Sequence, residues 1–145
     1  MLSARLIRLI EEHAEELTRA VLAELTTDPR TPCYQSIPRD ELARRVYDVY
    51  HNLGRWLGHR SEGPIEAHYA PLGRLRRAEG IPLSEVVCAL SLEKGQLREF
   101  VRRRGLADSA VELYSEEELN LMIDHFFDKA LYHTVRGYEQ GDAVG

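Results

Sequence analysis

The sequence predicts an all-α bundle of five to six helices, on three observations. Apolar residues recur every three or four positions through nearly the whole chain, the spacing that lines one face of a helix. No stretch alternates with period two for long enough to make a strand. Proline and glycine gather between the periodic segments, where helices have to stop. At 145 residues the chain fits one domain, residues 1–145, ordered over about 3–140.

The first helix is expected over about 3–26, with Leu6, Ile10, Ala14, Leu17, Val21 and Leu25 on one stripe. Asp28-Pro29-Arg30-Thr31-Pro32 breaks that pattern and opens a loop to about Ile37. Pro38 suits the first turn of a second helix, where a missing N–H costs nothing. That helix carries Leu42, Val46, Val49, Tyr50, Leu53 and Leu57, with Trp56 at the edge of the stripe. Pro64 opens a third helical stretch with Ile65, Tyr69 and Leu72 inward, and Pro71 makes it either one kinked helix or two short ones.

Gly80 can take the left-handed conformation that closes a helix and Pro82 cannot continue one, so the fourth helix starts afresh and runs over about 82–104. Its stripe is Leu83, Val86, Val87, Leu90, Leu97 and Val101; Cys88 and Leu92 lie opposite, which marks a central helix covered on both sides. Residues 106–114 are ambiguous, and Ser115-Glu116-Glu117-Glu118 reads as a capping box that begins the last helix. That helix runs to about Gln140 with Leu119, Met122, Ile123, Phe126, Ala130, His133 and Gly137 inward, followed by a disordered tail, Gly141 to Gly145.

Composition narrows the function. With 43% apolar and 30% charged residues the chain should fold alone. A net charge of −5 makes nucleic acid an unlikely main partner, since phosphate neutralisation needs a basic face. The clusters Arg74/Arg76/Arg77 and Arg102/Arg103/Arg104 are local exceptions, and DNA binding through them, as a DNA-associated regulator, is the second alternative; the first cluster reads most simply as a solvated face near a helix C-terminus, or as a surface for an anionic partner. Cys33 and Cys88 form neither a disulfide framework nor a metal knuckle. The N-terminus is unlike a secretory leader and no apolar run reaches bilayer-spanning length, so the expected location is the cytoplasm, with no membrane partner.

Several stretches together carry a family resemblance: Asp28-Pro29-Arg30-Thr31-Pro32-Cys33-Tyr34, Arg55-Trp56-Leu57, Leu72 to Val87, Phe126-Phe127-Asp128-Lys129-Ala130-Leu131, and Gly137-Tyr138-Glu139. In order and spacing they resemble the amino-terminal domain of RsbRD-type co-antagonists of the RsbT kinase, regulators of bacterial stress signalling. The resemblance covers nearly all of the chain. It implies a globin-like bundle without haem, working as a non-enzymatic input or docking module, usually a homodimer, with a regulatory protein as partner. The STAS domain of those regulators, which holds their phosphorylatable threonines and RsbT-binding surface, lies outside the match, so neither feature is assigned to residues here.

No nucleophile elbow, P-loop or dinucleotide signature is present, and an enzyme is not expected. No cofactor is expected either. His133 sits within the last apolar stripe, either as a core histidine or facing an interior cavity; a small molecule, if one binds, is expected among Tyr69, Leu90, Phe126 and His133. The competing haem reading would use His68 or His133 as ligand. His13 reads as structural, and His51 and His59 as solvent-facing. Only Asp48-x-x-His51 approaches the Glu-x-x-His pair of a di-iron bundle, too few ligands for a metal site. Lys94 falls between Leu90 and Leu97 and must snorkel outward, cap a polar pocket or pair across an interface. Gly95 and Gly137 suggest close backbone approach, and with Lys94, Phe127 and Tyr132 they form the expected dimer face.

Overall fold

The computed structural model describes residues 3–58, 61–104 and 110–141. Among them there is no strand; seven α-helices and one 3-10 turn form an all-helical bundle, somewhat more finely divided than the five to six helices expected. In order these are α1 (Ala4–Glu12), α2 (Ala14–Thr27), the 3-10 turn Pro32–Ser36, α3 (Arg39–His51), α4 (Leu53–Gly58), α5 (Gly63–Ala78), α6 (Leu83–Arg104) and α7 (Ala110–Gln140). The expected exposure of His59 and most of the Gly141–Gly145 tail fall outside the described residues. None of the described helices is long and apolar enough to cross a membrane.

The extra helices come from two breaks, at His13 and at Asn52. At His13 the ring Nδ1–H donates to the Leu9 carbonyl at 2.8 Å, and at Asn52 the side-chain amide donates to the Asp48 carbonyl at 2.9 Å. Each side chain bonds the carbonyl four residues back, which also accepts its own backbone N–H, at the point where one helix ends and the next begins. The breaks meet in space. Glu11, in the last turn before the first break, accepts the Gly54 N–H at 3.0 Å and so satisfies an otherwise orphaned donor in the first turn of α4.

Two further expectations are corrected. Pro38 stands at the N-cap of α3 with extended ψ, and its carbonyl accepts from Glu41 and Leu42. Ser115 does not cap the last helix: α7 begins by Ala110, Ser115 lies within it and donates to the Val111 carbonyl at 3.0 Å, and Glu118 takes the Ser3 hydroxyl at 2.7 Å instead. A capping box needs non-helical backbone at the serine, and the preceding turn of helix removes it.

The apolar stripes are buried as expected, from Ile10, Ala14, Leu17, Val21 and Leu25 on α1 and α2 to Leu119, Ile123, Phe126 and Ala130 on α7. Trp56, placed at a stripe edge, is also in the core, with Tyr69 and Phe126 against it. α6 packs on α1, α2, α5, α7 and the 3-10 turn, the central position its apolar first half implied.

The largest helix contact is α5 against α7, and glycine makes it. A Cβ on Gly137 would lie 2.1 Å from the Ala70 carbonyl oxygen, and one on Gly73 would lie 2.0 Å from that of Thr134. The two backbones touch directly. α5 runs through Pro71 as a single helix at this level.

Candidate functional site

α5 ends in a Schellman turn: the Ile81 N–H reaches back to the Arg76 carbonyl at 3.0 Å and Gly80 N–H to that of Arg77 at 2.9 Å, with Gly80 at φ 76°. The turn buries Ile81 and positions the Arg76 side chain, which points inward and is 2% exposed. Arg76 Nη1 bonds Glu79 at 2.7 Å and Glu41 at 3.1 Å, and its guanidinium lies 5.6 Å from the Tyr34 ring centre. Burial works against the guanidinium's charge, but the bond to Glu79 and the fields of Tyr34, Glu79 and Glu41 outweigh it and leave its pKa raised. The arginine cluster is therefore not a simple solvated face. Arg77 likewise turns onto Tyr138, 5.1 Å from the ring centre, and Arg102 and Arg103 pair with Glu99.

Beside Arg76 is a cavity of about 30 Å³, walled by α2, α3, α5, α6 and the 3-10 turn. Its lining is apolar except for Tyr34, Arg45, Arg76 and Glu93. By volume it admits about two waters. The Glu93 carboxyl makes no hydrogen bond or ion pair among the described residues, and burial pushes its pKa up to about 8 against the opposing pull of Arg76. Three phenols share this region. Desolvation raises Tyr34, Tyr50 and Tyr69, and the field of Glu93 adds to each. Tyr50 donates to the Glu93 main-chain carbonyl at 2.7 Å, whereas the buried Tyr69 hydroxyl has no partner among the described residues. Replacing Tyr69 by Phe removes that orphaned hydroxyl and keeps the ring, so denaturant unfolding of Tyr69→Phe is expected to show unchanged or up to about 1 kcal/mol greater stability.

Desolvation thus holds the Glu93 proton to a higher pH than an ordinary glutamate would keep it. Glu93 was overlooked in the sequence although a signal was there: it stands three residues after Leu90 and four before Leu97, on the stripe itself. Glu85, on the side of the helix opposite the stripe, carried no such signal. It is buried in the first turn of α6 and accepts the Cys33 N–H at 2.8 Å.

The expected small-molecule site does not assemble as a unit. Tyr69 and Phe126 meet edge to face at 5.9 Å, but Leu90 lines the Glu93 cavity instead. His133 Nε2 is 2.7 Å from a Glu62 carboxylate oxygen, so it is a core histidine with a carboxylate partner, and it does not line the cavity. His68 packs against Trp56 at 4.9 Å and Tyr69 at 4.7 Å, and burial lowers its pKa. The described residues contain no cluster of three or more metal-ligating side chains.

The expected dimer face is divided. Gly95 is exposed, with nothing within 4 Å of where a Cβ would stand, so no backbone approaches it, and Gly137 is used inside the chain by Ala70. Phe127 is buried in the core and cannot anchor a partner. Lys94 pairs with Asp124 across α6 and α7 at 3.0 Å. Of the side chains among these, Tyr132 stands well exposed, at 58%.

Fold and site together define an all-helical protein with a charged cluster and a titratable carboxyl beside a small, partly open cavity. No family model, curated protein or solved structure matches the chain.

Proposed function

We propose that this chain is a non-enzymatic sensing or protein-docking module of bacterial regulation, acting in the cytoplasm as a homodimer on a regulatory protein partner. The resemblance to the input domain of RsbT co-antagonists supports the reading. The observation that carries it is the Arg76–Glu93 cavity, which joins five elements around one carboxyl that has no bonding partner among the described residues. Such a group couples a local change to the packing of every wall it faces, which is what an input domain requires. Its size favours a proton or a water over a bulky guest.

Hydrogen exchange at pH 6 and pH 9 tests this reading on wild type and Glu93→Gln. The wild type is expected to lose protection at pH 9 in the 3-10 turn and the first half of α6, while the α5–α7 crossing keeps it. The variant is expected to show the same pattern at both pH values. Equal protection in the wild type at both, or steady turnover of a substrate by the purified chain, would overturn the proposal.

A further inference from the structure

The cavity beside Arg76 is lined by Tyr34, Arg45, Arg76 and Glu93 among apolar side chains, and each of the four has a hydrogen to donate. Arg45 bonds Glu41 through Nε at 3.3 Å, and its terminal amino groups make no bond among the described residues. Arg76 makes both of its carboxylate bonds through Nη1. The polar neighbour of the Tyr34 hydroxyl is Arg76, which only donates, so the Tyr34 O–H has no acceptor among the described residues. Glu93 completes the set, because a carboxyl that keeps its proton donates it. The other carboxyls nearby are occupied: Glu24 of α2 takes Gln96, and Glu41 and Glu79 take Arg76. Of the other two phenols, Tyr50 gives its proton to the Glu93 main-chain carbonyl and Tyr69 does not line the cavity.

The cavity therefore has donors and lacks an acceptor. We propose that it binds a small planar oxyanion, whose oxygens accept from Arg45, from the Tyr34 hydroxyl and from the Glu93 carboxylic acid. This site rests on the sensing reading above and deepens it by naming the guest.

Size and charge both select that guest. Space for about two waters takes the three heavy atoms of a carboxylate group, and the open side leaves room for a fourth. Tetrahedral sulfate and phosphate are too large. Two guanidiniums, Arg45 and Arg76, stand against two carboxylates, Glu41 and Glu79, so around a neutral Glu93 the cluster has no net charge. An ionised Glu93 would set a second negative charge beside the guest and would have no proton to give it, so the two exclude each other. Binding therefore weakens as pH rises through about 8.

Formate, acetate and bicarbonate share this chemistry. Amide chemical shifts of the full chain, titrated with sodium formate against sodium chloride at equal ionic strength, read the binding. At pH 6 formate is expected to shift amides of the 3-10 turn and of α6 around Ala89 to Glu93, with a dissociation constant on the order of 1 mM for so few atoms. At pH 9 it is expected to bind about tenfold more weakly. Glu93→Gln keeps a donor, as an amide N–H, and cannot ionise, so it is expected to bind formate equally at both pH values. Tyr34→Phe keeps the ring and loses one donor, and is expected to bind about tenfold more weakly at pH 6 with unchanged far-UV dichroism. Acetate and bicarbonate, titrated at pH 7, separate the sources: a response to formate and acetate names a carboxylate, one to bicarbonate alone a carbonate species, and either supports the site. A response to all three no different from that to chloride, pH-independent binding by the wild type, or loss of binding in Glu93→Gln overturns it. None of these results touches the exchange pattern of the guest-free protein, on which the sensing reading stands or falls.

Discussion

Raising the pH from 5 to 9 is expected to cost the folded chain about 3 kcal/mol, nearly all of it through Glu93. In the unfolded chain this carboxyl loses its proton near its ordinary value of 4.5, whereas burial holds it up to about 8 in the fold. Between those values the native state binds more protons than the unfolded state, so stability falls as pH rises and levels off above about 8. At about 1.4 kcal/mol per pKa unit the full difference would approach 5 kcal/mol; water reaching the cavity screens part of it, hence the smaller figure. His68 works in the other direction. Its folded pKa is lowered by burial, so its share of stability is present above the ordinary 6.5 and is lost as pH falls below it. Urea unfolding across this range should therefore give a stability maximum on the acidic side of neutrality. In Glu93→Gln the alkaline decline should vanish, leaving the variant more stable than wild type at pH 9. A wild-type curve that is flat from 6 to 9 would show that Glu93 ionises normally in the fold.

Gly137→Ala is expected to destabilise the chain by about 3 kcal/mol or more, a fall in Tm on the order of 10 °C. The added methyl would stand 2.1 Å from the Ala70 carbonyl oxygen, 2.8 Å from its carbon and 2.9 Å from its Cα. All three are backbone atoms of a helix, so no rotamer change relieves the overlap, and α5 and α7 must move apart. That movement also strains the Tyr138 hydroxyl bond to the Ile81 carbonyl at 2.6 Å, which ties α7 to the Schellman turn. Gly95→Ala is the contrasting substitution. Nothing lies within 4 Å of its added methyl, and alanine is favoured over glycine in a helix by about 1 kcal/mol, so this variant should be more stable than wild type. Thermal unfolding of the two variants side by side checks the assignment of Gly137 to the interior and of Gly95 to the surface.

The difference between these two glycines illustrates what sequence reading could and could not reach. Both stand in helices and both suggested close approach, yet only the position of α5 shows which one is used. Arg76 and Glu93 are similar cases: each falls on an apolar stripe, but a long side chain on a stripe can snorkel, and burial depends on what the neighbouring helices place around it. The opposite happened at Phe127 and Lys94, expected at an outer face and found in the core and in an ion pair across α6 and α7. The breaks at His13 and Asn52 were not legible either, because neither position carries the proline or glycine that stops a helix by local sterics.

By itself, the sequence determined that the chain is all-helical, which faces of α2, α3, α6 and α7 turn inward, and that Gly80 closes α5. These follow from the helical repeat and from backbone sterics, which act over a few neighbouring residues. Only the tertiary structure decided that Arg76 and Glu93 share a cavity, that Gly73 and Gly137 bring α5 and α7 into backbone contact, and that His133 bonds Glu62. Each of these joins residues 17 to 71 positions apart, and pairings at that range are fixed by how the helices pack, not by any local preference.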